Sequence, residues 1–159
     1  MPRRLVLLRH AKSSWSGDVP DHQRPLGGRG RREAPLAGRW LAEHVGDIDL
    51  VVCSSAERTR QTWARVGAEL PTSPEFRLDD RLYEASVPDL MRVARELPET
   101  ARTVLFIGHN PGLEDLVAEL TLGCCTMLTS SIAVLSVLGH WADIAESQAT
   151  LDALETPRG

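Results

Sequence analysis

Two histidines, two arginines and a carboxylate are spaced along this chain so that each falls in a turn beside a regular element. Arg9-His10 directly follows the apolar run at residues 5–8. Ser54-Ser55-Ala56-Glu57-Arg58 directly follows the run at residues 50–53. His109-Asn110-Pro111 directly follows residues 104–108, and Glu84 lies in Leu82-Tyr83-Glu84-Ala85, just before Ser86-Val87-Pro88-Asp89. A neutral imidazole is a competent nucleophile near pH 7, because its reference pKa is about 6.5 and one ring nitrogen keeps its lone pair. A migrating phosphoryl group spreads negative charge over three oxygens, and arginine forks with a second imidazole stabilise that charge without a metal. A helix start after Asn110 adds backbone N–H donors. These residue types point to phosphoryl transfer, with His10 as nucleophile and Arg9, Arg58 and His109 around the phosphate.

The elements that must position them are legible in the hydrophobic pattern. Apolar runs predict buried strands at residues 5–8, 50–53, 104–107 and 132–138. Alternating patterns predict edge strands at 76–78 and 150–154. Ala37, Trp40, Leu41 and His44 share one face of a helix that starts after Gly30, late or kinked because of Pro35. Trp63, Val66 and Leu70 form a stripe on the helix after Ser55. Ser86, Pro88 and Asp89 open a third helix with capping-box spacing. Asn110-Pro111 opens a fourth, which buries Leu113, Leu116, Val117 and Leu120. Strands alternating with helices predict an α/β fold, a three-layer α/β/α sandwich on a mainly parallel mixed sheet. Ligands collect at the carboxyl ends of such strands, where the reactive residues fall.

Composition narrows the classes. At 159 residues the chain reads as a single domain over 1–159, long enough to bury a core. A net charge of -4, with no massed Lys/Arg run, argues against a nucleic-acid or membrane surface. The N-terminal apolar run is too short for a signal peptide, and no stretch approaches a membrane span. Cys53 and the adjacent Cys124 and Cys125 make neither a disulfide framework nor a zinc pattern, so the expected setting is cytoplasmic and the cysteines read as small buried hydrophobes. A Cys-x5-Arg phosphatase loop is absent, since Arg58 stands five positions after Cys53 rather than six.

Each reactive residue also has a plainer reading. His10 alone could be a strand-end histidine with a structural hydrogen bond. Arg58 could be a solvated first-turn residue, although the helix dipole disfavours a cation there. Glu84 is either a proton donor or a surface carboxylate paired with an arginine. Arg24 either reaches the phosphate or anchors its loop. His22, His44 and His140 read as surface or packing residues, and Trp15 and Trp63 as packing residues.

The ordered motifs resemble those of the histidine phosphatase superfamily, with its phosphoglycerate mutase-like fold. Leu7-Leu8-Arg9-His10-Ala11 resembles the "RHG" signature. Ser54-Ser55 through Arg58-Thr59 and Gln61-Thr62 resembles the second motif, and Ile107-Gly108-His109-Asn110-Pro111 the second-histidine motif. Arg9-His10-Ala11-Lys12-Ser13 with Asp21-x-x-Arg24-Pro25-Leu26 is most similar to the SixA-like phosphohistidine phosphatase branch. The resemblance runs from Arg4 to about Thr156. It implies a transient phospho-His10, a phosphate held by Arg9, Arg58 and His109, and no metal or organic cofactor. The implied partner is a phosphorylated protein or a small phosphoester, and the oligomeric state is left open, with a monomer sufficient.

The departures from the family pattern carry information. Ala11 stands where glycine is common, and Lys12 and Ser13 where many relatives have Glu and Thr. Asn110 stands where some branches place an Asp and cannot act as an acid, which leaves Glu84 as the candidate proton donor. An alkoxide leaving group needs such an acid, whereas an imidazole leaving from phosphohistidine needs far less help. A chain of this length has little room for a lid. Its longest candidate is the Gly- and Pro-containing stretch 14–32, and an open site admits a phosphorylated side chain of another protein. The competing functions are a small-molecule phosphomonoesterase, a non-catalytic phosphate-binding adaptor and a metal-dependent hydrolase. The two arginines disfavour the last by repelling a cation.

Overall fold

The computed structural model describes residues 2–15 and 17–158. Its ten main elements run β1 (Arg3–Arg9), α1 (Gly28–His44), β2 (Leu50–Cys53), α2 (Glu57–Gly67), β3 (Glu75–Leu78), α3 (Val87–Arg95), β4 (Thr103–Gly108), α4 (Gly112–Thr121), β5 (Ile132–Val137) and β6 (Ala149–Glu155). The strands form one six-stranded sheet in the order β3-β2-β4-β1-β5-β6. Pairings among β1, β2, β3 and β4 are parallel, while β5 and β6 are antiparallel. This is the expected mixed α/β architecture, with the two weakly patterned strands at the sheet edges.

Side-chain alternation divides the core between the two faces of the sheet. Leu5, Leu7, Val52, Val104 and Phe106 face α3 and α4, where they meet Leu90, Leu113, Leu116 and Leu120. Val6, Leu8, Val51, Leu105 and Ile107 face α1 and α2, where they meet Ala37, Leu41 and Val66. Burial of these faces is the main force that fixes the strand register. The register sets the site. Leu8 lies opposite Ile107 and Arg9 opposite Gly108, while Cys53 also lies opposite Ile107. The residues that follow β1, β2 and β4 therefore leave the sheet side by side. Antiparallel β5 starts at Ile132 opposite Leu8, which brings the segment before it to the same end.

Local chemistry explains most helix boundaries. In α3, Ser86 Oγ accepts from the Asp89 N–H at 3.3 Å, and Asp89 Oδ2 accepts from the Ser86 N–H at 3.1 Å, the reciprocal capping predicted from the sequence. Helix α4 buries Leu113, Leu116, Val117 and Leu120 as predicted. Three boundaries differ. Helix α1 begins at Gly28, before Gly30, and runs through Pro35. Pro35 removes one internal hydrogen bond, yet Ala34, Ala37, Gly38 and Leu41 stay buried and hold the helix across the gap. Helix α2 ends at Gly67, so Leu70 packs on the core from beyond it. Strand β5 stops at Val137, leaving Leu138 67 % exposed.

Gly30 ties α1 to the segment that carries the reactive histidine. A Cβ there would sit 2.0 Å from the Lys12 carbonyl oxygen, two residues after His10. Gly30→Ala must push Lys12 or α1 aside, which costs about 1–3 kcal/mol and lowers Tm by roughly 3–8 °C in thermal unfolding. Gly123→Ala, whose nearest contact would be an ordinary 3.5 Å, is the control that leaves Tm within about 2 °C.

Candidate active site

His10 extends the ladder of β1, its N–H donating to the Gly108 carbonyl at 3.1 Å. Its side chain is buried, and Nδ1 lies 2.7 Å from the Ala11 carbonyl oxygen. A carbonyl can only accept, so Nδ1 carries the proton and Nε2 keeps the lone pair. Burial pushes His10 down to about 4; the Ala11 hydrogen bond opposes that shift, and the charges of Arg58, Arg9 and Arg24 reinforce it. His10 is thus neutral at physiological pH in the tautomer a nucleophile requires.

His109 follows β4, its ring centroid 5.2 Å from that of His10. Its Nε2 lies 2.8 Å from Ser54 Oγ, so the residue after β2 orients the residue after β4. Burial pushes His109 down to about 3, with His10 and Arg58 adding to the shift and Asp21 opposing it.

The arginines are held by their terminal nitrogens. Arg9, the last residue of β1, donates from Nη1 to the Met127 carbonyl at 3.0 Å. Met127 is fixed in turn, because its N–H donates to Glu114 at 2.6 Å and its carbonyl accepts from Asn110 Nδ2 at 2.8 Å. Arg58, the second residue of α2, donates from Nη1 to the Asp21 carbonyl at 2.8 Å and from Nη2 to Asp21 Oδ2 at 3.1 Å. Arg24 donates to Ser13 Oγ, pairs with Asp21 Oδ1 at 3.4 Å and lies 3.5 Å over the Trp15 ring. Buried Nε atoms of Arg9, Arg24 and Arg58, and Nδ1 of His109, have no protein partner. Arg3 Nε is also unpartnered, at the opposite end of β1, so this feature alone does not mark a site. What marks it is the gathering of the guanidinium charges around a neutral His10.

Glu84 stands apart from this cluster. It is exposed, has a left-handed backbone with φ 52°, and lines a cavity of about 330 Å³ together with Ala85, Ser86, His109, Asn110, Pro111 and Gly112. Asn110 also donates to Glu114 at 3.0 Å, so it braces the start of α4 against the segment before β5. Among the described residues, no three His, Cys, Asp or Glu side chains gather into a group able to hold a metal ion.

The structure also brings in residues that sequence reasoning did not single out. Tyr83 donates from its hydroxyl to Asp21 Oδ2 at 2.5 Å and meets the His109 ring edge-on at 5.5 Å. His22 packs not on general surface but on the site, against Tyr83 at 4.8 Å between centroids and Ser55 Oγ at 2.9 Å. The available signals were the position of Tyr83 beside Glu84 and of Asp21 three residues before Arg24. Two packing expectations fail. Trp15 is 75 % exposed beneath the Arg24 guanidinium, and Cys124 is exposed with Cys125 only half-buried. Both lie in connecting segments, where no periodicity reports burial. Cys53 is buried as expected, and burial pushes its thiol up to about 12.

Residues 5–110 match the family model of the histidine phosphatase superfamily (branch 1). The chain belongs to that superfamily. It is 38% identical to an uncharacterised protein of Mycobacterium tuberculosis over 162 aligned positions, covering 95% of this chain and 100% of the relative. A solved structure assigned to the phosphohistidine phosphatase SixA of Nakamurella multipartitia superposes with a TM-score of 0.87 at 35% identity, covering 100% of both chains. The protein histidine phosphatase SixA complexed with tungstate superposes at 0.84 with 27% identity, over 97% of each chain. A mycobacterial glucosyl-3-phosphoglycerate phosphatase shares the fold at 22% identity, with a TM-score of 0.70 over 95% of this chain and 98% of its own. No helix among the described residues is long and apolar enough to cross a membrane.

The depressed histidines make a signed prediction. His10 and His109 refuse protons that the unfolded chain accepts near its reference pKa of about 6.5. Their contribution to stability is therefore complete above that pH and is lost as pH falls toward 4 and 3. Nitrogen-15 NMR titration should place the His10 midpoint near 4, with the proton of the neutral form on Nδ1. In Arg58→Met the loss of a neighbouring cation moves that midpoint upward. A midpoint near 6.5 in the folded wild type would contradict this account.

Proposed function

We propose that this phosphatase hydrolyses phosphohistidine on a partner protein through a phospho-His10 intermediate. The observation that carries this reading is the buried neutral His10, its Nδ1–H bound to Ala11 and its ring under the charges of Arg58, Arg9 and Arg24. In the first step His10 Nε2 attacks phosphorus, the bond from phosphorus to the leaving imidazole nitrogen breaks, and that nitrogen keeps the bonding pair and takes a proton from solvent. In the second step water attacks the phosphoryl group, His10 is released, and inorganic phosphate forms. Arg9, Arg58 and Arg24 neutralise charge on the phosphoryl oxygens, and His109, oriented by Ser54, contributes a hydrogen bond. The residues themselves supply this chemistry, without metal or organic cofactor.

Substrate class follows from the leaving group. Glu84 is exposed on the wall of the cavity beside His109, and Asn110 is committed to bracing Met127 and Glu114. Such a site suits an imidazole, which leaves with little acid assistance, better than an alkoxide. Likeness to SixA proteins supports the same choice. We take residues 1–159 as one catalytic domain, and free cysteines at 53, 124 and 125 fit a cytoplasmic setting.

The test compares wild type, His10→Ala and Glu84→Gln on a phosphohistidine protein and on simple aryl and alkyl phosphates, with and without chelator. The expected result is chelator-resistant turnover that falls by at least about 10³-fold in His10→Ala. Glu84→Gln should change phosphohistidine turnover by less than about threefold, because the imidazole leaves with little acid assistance. Turnover surviving in His10→Ala would refute the mechanism. Preference for an alkyl phosphate would move the substrate to a small phosphoester.

A further inference from the structure

Asp21 occupies an unexpected place for an acidic residue. Its carboxylate pairs with Arg58 at 3.1 Å and Arg24 at 3.4 Å, two of the cations whose charge acts on His10. Both guanidinium groups are deeply buried, with side chains 7% and 11% exposed, whereas the Asp21 side chain is 48% exposed. The cations are fixed and the anion stands at the surface, on the short turn Asp21–Gln23 between β1 and α1.

Two jobs that Asp21 could do are separable in its own atoms. Positioning of Arg58 is carried by the Asp21 main-chain carbonyl, which accepts from Nη1 at 2.8 Å whatever the side chain. Arg24 is also held by Ser13 and by its stacking on Trp15. The side chain therefore adds chiefly negative charge, set against the guanidinium groups that a phosphate must use. Part of that charge is drawn off by the Tyr83 hydroxyl, 2.5 Å from Oδ2. The carboxyl is held below its ordinary range, chiefly by Tyr83 and then by Arg58 and Arg24, so it is ionised whenever the enzyme works.

We propose that Asp21 is a built-in counter-anion that weakens the hold of the site on product phosphate and so speeds its release. The proposal rests on reading this site as the phosphate site. It assigns Asp21 a positioning and tuning role, with no contact to the reacting atoms. Asp21→Asn keeps the shape and one accepting oxygen but deletes the charge and turns the other acceptor into an NH2 donor. Tyr83→Phe keeps the ring against His22 and His109 but returns charge to the carboxylate. The two substitutions must move phosphate affinity in opposite directions, whereas loosened arginines would weaken it in both.

The experiment measures the Ki of orthophosphate against aryl phosphate hydrolysis and its Kd by calorimetry, for wild type and both variants, with Tm as a check on folding. Asp21→Asn should bind orthophosphate about tenfold more tightly and show a lower kcat as phosphate release becomes limiting, while Tyr83→Phe should bind it about threefold more weakly. Equal or weaker binding in Asp21→Asn overturns the proposal. If Asp21→Asn does not fold, tighter or unchanged binding in Tyr83→Phe overturns it alone. Wild type that binds no orthophosphate at all would remove the phosphate-site reading, and this proposal with it.

Discussion

The hydrogen bond from His10 Nδ1 to the Ala11 carbonyl, 2.7 Å long, is the constraint on which the rest of the site depends. It forms between adjacent residues, directly where β1 ends. Burial then keeps the imidazole neutral, and the neighbouring guanidinium charges disfavour protonation further. In the proposed mechanism those same charges attract the dianionic phosphoryl group that the lone pair attacks. On that reading a single arrangement prepares the nucleophile and draws its substrate, with neither effect working against the other.

Everything around that bond serves to hold it in a dry, rigid corner. The parallel register of β1, β2 and β4 aligns three strand ends, and hydrophobic burial on both faces makes a slip of one residue prohibitive. Gly30 allows α1 to press against Lys12, fixing the segment after β1 from outside. Ala11 makes a further bond, its N–H donating to Thr62 Oγ1 at 3.0 Å, which couples this segment to α2 and hence to Arg58. On the far side, Glu114, Asn110 and Met127 form a small network that ends on Arg9. Arg9 and Arg58 are placed by main-chain carbonyls, whereas Arg24 is held by Ser13 and Asp21.

The sheet and the strand-end residues were legible in the sequence because both obey short-range rules. Unbroken apolar runs at residues 5–8 and 104–107 report burial on two faces, and the polar residues that follow report where ligands gather. Ser86 and Asp89 signalled their helix start for the same reason. Tyr83, His22 and Asp21 were less legible as partners. Their contacts join the segment between β1 and α1 to the segment between β3 and α3, a pairing that no local period encodes. Trp15 misled for a related reason: an indole usually reports packing, yet here its face carries the Arg24 guanidinium at the surface. Glu84 was placed near the site from its neighbours alone, but its exposure and left-handed backbone emerge only from the fold.

The most direct test of the central claim is to trap the enzyme during turnover and map the phosphoryl group. Rapid quenching in base, followed by proteolysis and mass spectrometry with phosphorus-31 NMR, should find one acid-labile phosphoryl group on His10 Nε2, the nitrogen left free by the bond to Ala11. A phosphoryl group on Nδ1 of His10, on His109, or on no residue during a measured burst would contradict the account.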